Sequence, residues 1–470
     1  MERYDVIVVG GGAAGLVTAA GSAGIGARPA LIERERLGGE CLWTGCVPSK
    51  ALLAVARSAA HARGASRFGV HADVQVRFAE VMRWVHGARA AIEPHDSPER
   101  FRGLGVDVIQ GTARFVAPRT LEVGDRRLTA KRVVLATGSR PAIPDLAGLA
   151  SVPYLTNENV FELTEQPDHL LVLGGGPIGL ELAQAFVRVG SRVTLVTSSS
   201  AVLPREDEEL AALLAARLAA EGVTFHLGAT ATSVRREGDG LVLTASAAGT
   251  THEIAASHLL VAVGREPRTD TLDLGAGNVV TGADGIDVDA TLRTSAEGVW
   301  ACGDCIGGPR FTHVADYQAR LVIRNAFFPL ARKVDYRAVP WVTYTDPELA
   351  HVGLTEREAR DRYGTDVRVF TRPFHDVDRA IADGETLGMV KLVTRSRGAL
   401  LGGHILGAGA GNMIGEIAMA IRHDLGVNAL ASLVHPYPTM PEAIRQAAEG
   451  FNKARFAGVP RAVAQWFARR

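Results

Sequence analysis

Short runs of consecutive apolar residues alternate, through the first part of the chain, with glycine clusters and longer stretches of helical periodicity. Residues 4–9, YDVIVV, form a β-branched run that ends on Gly10, and GGAAGLVTAA after it has the apolar spacing and alanine content of a helix. A further run, Ala30-Leu31-Ile32, follows that helix. The same order returns at residues 170–197, LLVLGGGPIGLELAQAFVRVGSRVTLVT. Unbroken apolar runs suit strands of a parallel sheet covered on both faces. The pattern predicts an α/β chain with two Rossmann-like dinucleotide-binding modules.

Between and after these modules, residues 51–63 and 78–92 have the periodicity of two long helices, and His95-Asp96-Ser97-Pro98 is a helix stop and turn with a surface histidine. Residues 106–109, 113–116 and 120–123 alternate as strands of a small sheet, and VVLATG at 133–138 is a buried strand running into glycine. Residues 259–264 close the second module, and VWACGD at 299–304 is another buried strand, ending on a glycine and an acid. From about residue 338 strands and helices mix, which predicts a third, α+β domain. The expected boundaries are 1–150, 151–270, 271–337, where the chain returns to the first domain, and 338–470.

The length of 470 residues leaves room for three such cores. Fifty-one basic and 51 acidic residues give a formal charge of zero, which argues against a nucleic-acid partner or a polybasic membrane contact. The chain opens on a strand without a basic leader and cleavable apolar region, so a cytoplasmic location is expected. The most apolar late stretch, 398–421, is glycine-rich and interrupted by His404, Asn412 and Glu416, and is no membrane span.

Chemistry concentrates in GGECLWTGCVPSK, residues 38–50. Cys41 and Cys46 are close in sequence, and Pro48 suits a first helical turn because its missing N–H needs no partner there. A helix start lowers a thiol pKa from about 8.5 into the range ~3.5–7.5, which makes Cys46 the thiolate candidate and Cys41 its exchange partner. Two such cysteines could also be inert or bind metal, but no Cys/His pair at zinc-finger spacing supports a metal site. Lysines number only five in the chain, so Lys50 beside the pair is not expected to be incidental.

Gly10, Gly12 and Gly15 form G-x-G-x-x-G between strand and helix, the setting in which backbone N–H groups hold a pyrophosphate. Glu33 lies 23 residues after Gly10, the spacing of a carboxylate that takes ribose hydroxyls. Gly174, Gly176 and Gly179 repeat the motif, but the equivalent position is Thr197, followed by Ser198. A carboxylate there would repel a 2′-phosphate and hydroxyls tolerate one, so NADPH is favoured, with NADH possible; no arginine stands at 198–200, and Arg205 is nearby. Asp304 is placed for a sugar-like hydroxyl chain. Cys302 and Cys305 form C-x-x-C without the helix-start and lysine context of the first pair, which disfavours a second redox couple.

Taken together, C-x-x-x-x-C-x-P-S-K, the two glycine modules, Ala136-Thr137-Gly138 and Gly303-Asp304 resemble, in the same order and over nearly the whole length, the class I pyridine nucleotide-disulfide oxidoreductases, the flavoproteins that include dihydrolipoamide dehydrogenase, glutathione reductase and mercuric reductase. The resemblance implies FAD in the first module and its return segment, NAD(P)H in the second, and a homodimer formed through the third domain. It implies a Cys41–Cys46 redox disulfide with Cys46 facing the flavin, Lys50 beside the flavin with Glu181 as its ion-pair partner, and cofactor contacts from Ala14, Gly39, Thr137, Gly138 and Gly264. Electrons would pass from the nicotinamide through FAD to the disulfide and on to a small-molecule disulfide, dithiol, quinone or metal ion.

Departures from the family bear on that acceptor. The family's acid/base histidine before Pro-Thr is Tyr437 here, while its glutamate partner is retained as Glu442. Tyrosine titrates near ~10 against ~6.5 for histidine, so Tyr437 donates a hydrogen bond at neutral pH but is a poor base. His435, two residues earlier, is the candidate to supply the proton instead. Mercuric reductases share the tyrosine and a sequence similar to ELAQAF, but deliver metal through a cysteine pair near the C-terminus, and no cysteine follows Cys305 here. Trp43-Thr44 between the cysteines is bulkier than usual and is expected to narrow access to Cys41. Besides a reductase, the residues allow a dithiol oxidase, a mercuric or other metal-ion reductase, and a redox-sensing flavoprotein.

Overall fold

The computed structural model describes residues 1–457 and divides them into two compact units. Residues 459–470, the sulfur-free tail, lie outside the described residues. The first unit comprises Met1–Gly174, Ala185–Val196 and Ala231–Val334; the second comprises Gly175–Gln184, Thr197–Thr230 and the described residues from Asp335 onward.

In the first unit the strand Glu2–Val9 lies between two parallel neighbours, Pro29–Glu33 and Arg126–Leu135, with Val8 opposite both Leu31 and Val134. Val6, Ile7, Val8, Ile32, Val133 and Leu135 are each at most 1% exposed, as doubly covered strands require. The strand Arg126–Leu135 serves two partners along one edge. Its first residues pair antiparallel with Thr120–Val123, and its last three pair parallel with Val299–Ala301.

The small sheet expected from residues 106–123 is therefore not a separate one. Asp107–Gln110 extends the parallel sheet beside Pro29–Glu33, and only Ala113–Ala117 and Thr120–Val123 form an antiparallel branch. Alternation in sequence fixes which face a strand buries but says nothing of its neighbour or direction. Against this sheet the helix Ala13–Gly24 buries Ala14, Leu16, Thr18 and Ala19. Also in this unit, His169–Leu173 pairs in parallel with both Arg192–Val196 and His258–Val261, the core of the second module.

Two long helices carry the cysteine motif and brace it. Cys46–Gly64 buries Leu52, Ala56 and Ala59, and Phe78–Ile92 buries Phe78, Val81, Met82, Val85 and Arg89, positions that recur on one face. Arg89 is a cation on that apolar face, with partners for its charge. It donates to the Trp43 and Phe161 carbonyls and pairs with Glu162 at 2.7 Å, so the loop between the cysteines is tied to the helix.

The second unit centres on a five-stranded antiparallel sheet in the order Pro340–Thr343, Glu348–Gly353, Leu400–Gly407, Met389–Arg395, Val367–Pro373. The glycine-rich stretch is explained there. A Cβ on Gly402 would sit 2.0 Å from the Leu354 carbonyl, and one on Gly403 2.6 Å from Ile417, so Gly402 lets the backbone at Leu354 approach and Gly403 leaves room for the helix Ala410–Arg422. Ile405, Leu392, Ile414, Ile417, Ile444 and Phe451 close the core with the helix Glu442–Ala457. Among the described residues no helix is long and apolar enough to cross a membrane.

Candidate active site

Cys46 is the first residue of the helix Cys46–Gly64, and no side chain caps that helix start. Its thiol is exposed and lies 3.2 Å from the hydroxyl of Thr312, which is itself the first residue of the helix Thr312–Phe327. Two helix N-termini thus meet at one sulfur, where each macrodipole favours negative charge. Cys41 is half-buried and behaves oppositely. Its hydrogen bond to Cys46, followed by burial and the nearby Cys46 charge, raises its pKa, so the proton stays on Cys41.

Behind the pair lies a polar network that local sequence patterns did not reveal. Glu40, adjacent to Cys41, pairs with Arg265 and accepts a hydrogen bond from Asn157 at 3.0 Å. Asn157 also donates to the Thr44 carbonyl, and Arg265 donates to Ser139, which donates in turn to Asp304 at 2.7 Å. Burial pushes the Glu40 carboxyl up to about 7 against the opposing pull of Arg265. Glu40 thus places a group that titrates near neutrality beside Cys41. Trp43 donates its indole N–H to the Leu37 carbonyl at 2.7 Å and is covered by the Arg36 guanidinium, so its ring is held by the residues before the motif.

The first glycine module fits a dinucleotide. Gly10 has φ +106°, and a Cβ there would lie 2.3 Å from the Ala136 carbonyl; one on Gly15 would lie 1.7 Å from the Gly10 carbonyl. Gly39, at φ +54°, approaches Gly12 so closely that its Cβ would be 2.6 Å from the Gly12 Cα. The glycine turn, the cysteine motif and the 136–138 strand end are packed backbone to backbone. The helix start after Gly12 carries no side-chain cap, which leaves its N–H donors for a phosphate. Glu33 stands beside this turn, accepting from the Gly11 N–H at 2.6 Å. Ala14 is small enough for Gly303 to close on it, and Thr137 is anchored through its hydroxyl to the Arg268 carbonyl at 2.6 Å beside Gly138, at φ +71°.

The second module repeats this geometry. Gly174 has φ +121°, and its Cβ would lie 2.3 Å from the Ala262 carbonyl, the same clash as at Gly10. In the second unit, Thr197 stands to Gly175 as Glu33 stands to Gly11: a Cβ on Gly175 would meet Thr197 at 3.1 Å, and one on Gly11 would meet Glu33 at 3.0 Å. Gly176 has open space around it, Gly179 lies within the helix Pro177–Val189, Ser198 and Arg205 are exposed, and Gly264 takes φ +149° after the strand His258–Val261.

Lys50 lies in the first unit, where its ammonium donates to Ser49. Glu181 lies in the second, buried, accepting from the Tyr344 N–H at 2.9 Å. The closing motif splits into two separate contacts. Tyr437 is 72% exposed and donates to Asp378, which raises its pKa further from neutrality. His435 is half-buried and bonded to Glu416 at 3.0 Å, with its other ring nitrogen lacking a hydrogen-bond partner among the described residues. The two residues occupy different hydrogen bonds within one chain. Glu442 is buried at the start of its helix, with Arg445 at 3.6 Å.

Cys302 and Cys305 are fully buried thiols, Cys305 bonded to the Leu135 and Cys302 carbonyls. Burial pushes both pKa values up, that of Cys305 to about 11, which suits inert core residues.

Comparison with known proteins bears directly on this arrangement. The family described as pyridine nucleotide-disulphide oxidoreductase matches residues 4–319, and its dimerisation domain matches residues 339–448. The chain is 38% identical over 457 residues to a mercuric reductase of Streptomyces lividans, covering 95% of this chain and 96% of that one. It is 37% identical over 464 residues to a dihydrolipoyl dehydrogenase of Thermus scotoductus, covering 96% and 98%. Among solved structures, the Cu(II) complex of the HOCl-induced flavoprotein disulfide reductase RclA from Escherichia coli superposes with a TM-score of 0.86 at 28% identity, covering 96% of this chain and 99% of that one. The chain belongs to the pyridine nucleotide-disulphide oxidoreductase family, FAD-dependent oxidoreductases that use a nicotinamide cofactor.

Proposed function

We propose that this protein moves electron pairs from NADPH, through FAD, to Cys41 and Cys46, and from them to a small-molecule disulfide or another two-electron acceptor. The observation that carries this reading is the exposed Cys46 thiol at two helix N-termini, with Cys41 hydrogen-bonded to it and retaining the proton. Bound FAD would supply the hydride-accepting and electron-returning chemistry. With a disulfide acceptor, the reduced Cys41 sulfur forms a mixed disulfide and releases one thiol; Cys46 then attacks Cys41, releases the second thiol and restores the Cys41–Cys46 bond. One NADPH and one proton are consumed for two thiols formed.

In this reading residues 1–150 and 271–337 hold FAD, 151–270 hold the nicotinamide cofactor, and 338–470 form a homodimer interface. Gly10, Gly12, Ala14, Gly15 and Gly39 cradle the FAD pyrophosphate, Glu33 takes the ribose, and Thr137, Gly138 and Asp304 line the rest. Gly174, Gly176, Gly179 and Gly264 serve the second cofactor. Lys50 is the cation that Glu181 holds beside the flavin, and Tyr437 with Glu442 orients the acceptor through hydrogen bonding.

The preference for NADPH rests on Thr197, which occupies the place of Glu33 without its charge. Thr197→Glu gains an acceptor for a backbone N–H, as Glu33 has, together with repulsion against a 2′-phosphate. The ratio of kcat/KM for NADPH over NADH is expected to exceed one in the natural chain and to fall by about tenfold or more in the variant, roughly 1.4 kcal/mol. A natural enzyme clearly faster with NADH would refute the reading.

A metal-ion acceptor is the second reading, favoured by the mercuric reductases among the relatives and by the Cu(II) complex of RclA. Soft metals pass between sulfur ligands. Cys41 and Cys46 can hold an ion, but the chain offers no cysteine after Cys305 to hand one inward. Steady-state NADPH oxidation should therefore run faster with disulfides or quinones than with Hg(II) buffered by excess thiol. Turnover with Hg(II) above every other acceptor would establish the metal reading instead. A single stoichiometric reduction with all acceptors would mark a sensor.

A further inference from the structure

The parallel strands Glu2–Val9 and Arg126–Leu135 end at Gly10 and Ala136, beside the cysteine motif. Their opposite ends, where Arg3 faces Thr129 and Tyr4 faces Ala130, lie roughly 20 Å away at ~3.3 Å per residue. There the first unit contains an open cleft of about 580 Å³. Arg3, Arg28, Arg119 and Lys131 line it, against one acid, Asp5. Among the described residues none of these four cations forms an ion pair. In a chain of zero formal charge, this excess is local.

Two of the cations, Arg28 and Arg119, are held in place. Arg28 lies 4.8 Å over the Tyr4 ring and donates to the Arg3 carbonyl, while its own backbone N–H occupies an Asp5 oxygen at 2.9 Å. Arg119 sits in the turn between Ala113–Ala117 and Thr120–Val123 at φ +56°, a left-handed conformation that costs any residue but glycine about 1 kcal/mol or more. Its carbonyl accepts from Ala130 and from the Thr129 hydroxyl, which fixes the turn on the strand that carries Lys131. Its side chain lies against Gly298, where a Cβ would come within 2.9 Å of the Arg119 Cδ. The turn and the bare glycine together fix where the Arg119 side chain lies at the edge of the cleft.

We propose that this cleft binds a phosphate-bearing small molecule through Arg28, Arg119 and Lys131, at a site separate from the cysteines. Guanidinium groups match phosphate oxygens two at a time, and Lys131 supplies a point charge. The ligand would bridge the start of the strand Pro29–Glu33, the Arg119 turn and the strand Arg126–Leu135, and so stabilise this unit by mass action.

The test uses the FAD-loaded protein saturated with NADP⁺, so that both dinucleotide sites are filled, titrated calorimetrically with inorganic triphosphate and with ATP. Binding is expected to weaken between ~50 mM and ~200 mM salt and to raise the unfolding temperature. Arg119→Ala/Lys131→Ala should bind triphosphate about tenfold or more weakly, with an unchanged unfolding temperature in the absence of ligand. Arg127→Ala, on the same strand but paired with Glu122, should bind like the natural chain. ATP and triphosphate binding alike would identify phosphate as the recognised group, and tighter ATP binding would add the nucleoside; both support the site. Equal triphosphate affinity in the double variant, or no binding at about 10 mM, overturns it. A single-stranded oligonucleotide bound more tightly than ATP at equal phosphate concentration overturns it in favour of a nucleic-acid surface.

Discussion

Cys46→Ser and Cys41→Ser should each lower NADPH-driven turnover of a disulfide acceptor by on the order of 10³-fold or more, because exchange needs both sulfurs and loss of one member of a covalent pair removes the pathway. The two variants should nevertheless look different. Cys46 is the exposed thiol at the starts of the helices Cys46–Gly64 and Thr312–Phe327, whereas Cys41 keeps its proton through its bond to Cys46 and through burial. Cys41→Ser should therefore show a long-wavelength thiolate-to-flavin absorbance band without prior reduction, and Cys46→Ser should show none even after NADPH is added. Thr312→Val removes the hydroxyl at 3.2 Å but keeps the helix, and should shift the pH at which the band appears upward. Identical spectra from the two cysteine variants would refute the division of roles.

The parts of this site that were legible in the sequence are those whose chemistry is local. A glycine turn needs three glycines at fixed spacing because backbones must touch, and the contacts at Gly10, Gly15 and Gly174 show that touching. Cys46 and Pro48 occupy one helix start and Cys41 the short helix Gly39–Trp43 just before it, so their pattern is contiguous. Glu40, Asn157, Ser139, Arg265 and Thr312 were not legible, because the fold brings them together across separations of up to 266 residues and no period marks them. The only nearby signal was an acid at Glu40 beside a cysteine, too common to read. The strands at 106–123 are legible as strands but their sheet is not, because pairing partners are a tertiary property.

The largest effect on stability is expected in the second unit, at the buried lysine. Lys391 is 5% exposed on the strand Met389–Arg395, and its ammonium meets Asp207 at 3.0 Å, Glu209 at 3.2 Å and Glu356 at 2.9 Å. Asp207 caps the helix Glu208–Ala220 and Glu356 opens the helix Glu356–Tyr363, so one cation joins two helix starts to the sheet. Burial opposes its charge, but hydrogen bonds to Glu356 and Asp207 outweigh burial and raise the Lys391 pKa. Glu356 is lowered despite burial, through Lys391 and Arg360. The raised lysine stabilises the fold fully below its unfolded value near ~10.4 and loses that contribution as pH rises through the folded value. The lowered glutamate contributes above its unfolded value near ~4.3, and that contribution is lost as pH falls through the folded one. The network is thus complete between about pH 5 and pH 10. Lys391→Met leaves Asp207, 3% exposed, facing an apolar chain, and should cost about 3–5 kcal/mol at pH 7. Hydrogen exchange at the amides of residues 390–394 and 210–214 measures it locally, which matters because a multidomain chain need not unfold in one step. Adding Asp207→Asn to Lys391→Met should recover part of the loss, since the stranded charge is then gone. A change below about 1 kcal/mol in the single variant would mean that Asp207 finds solvent on its own and that the lysine is not what holds these three elements together.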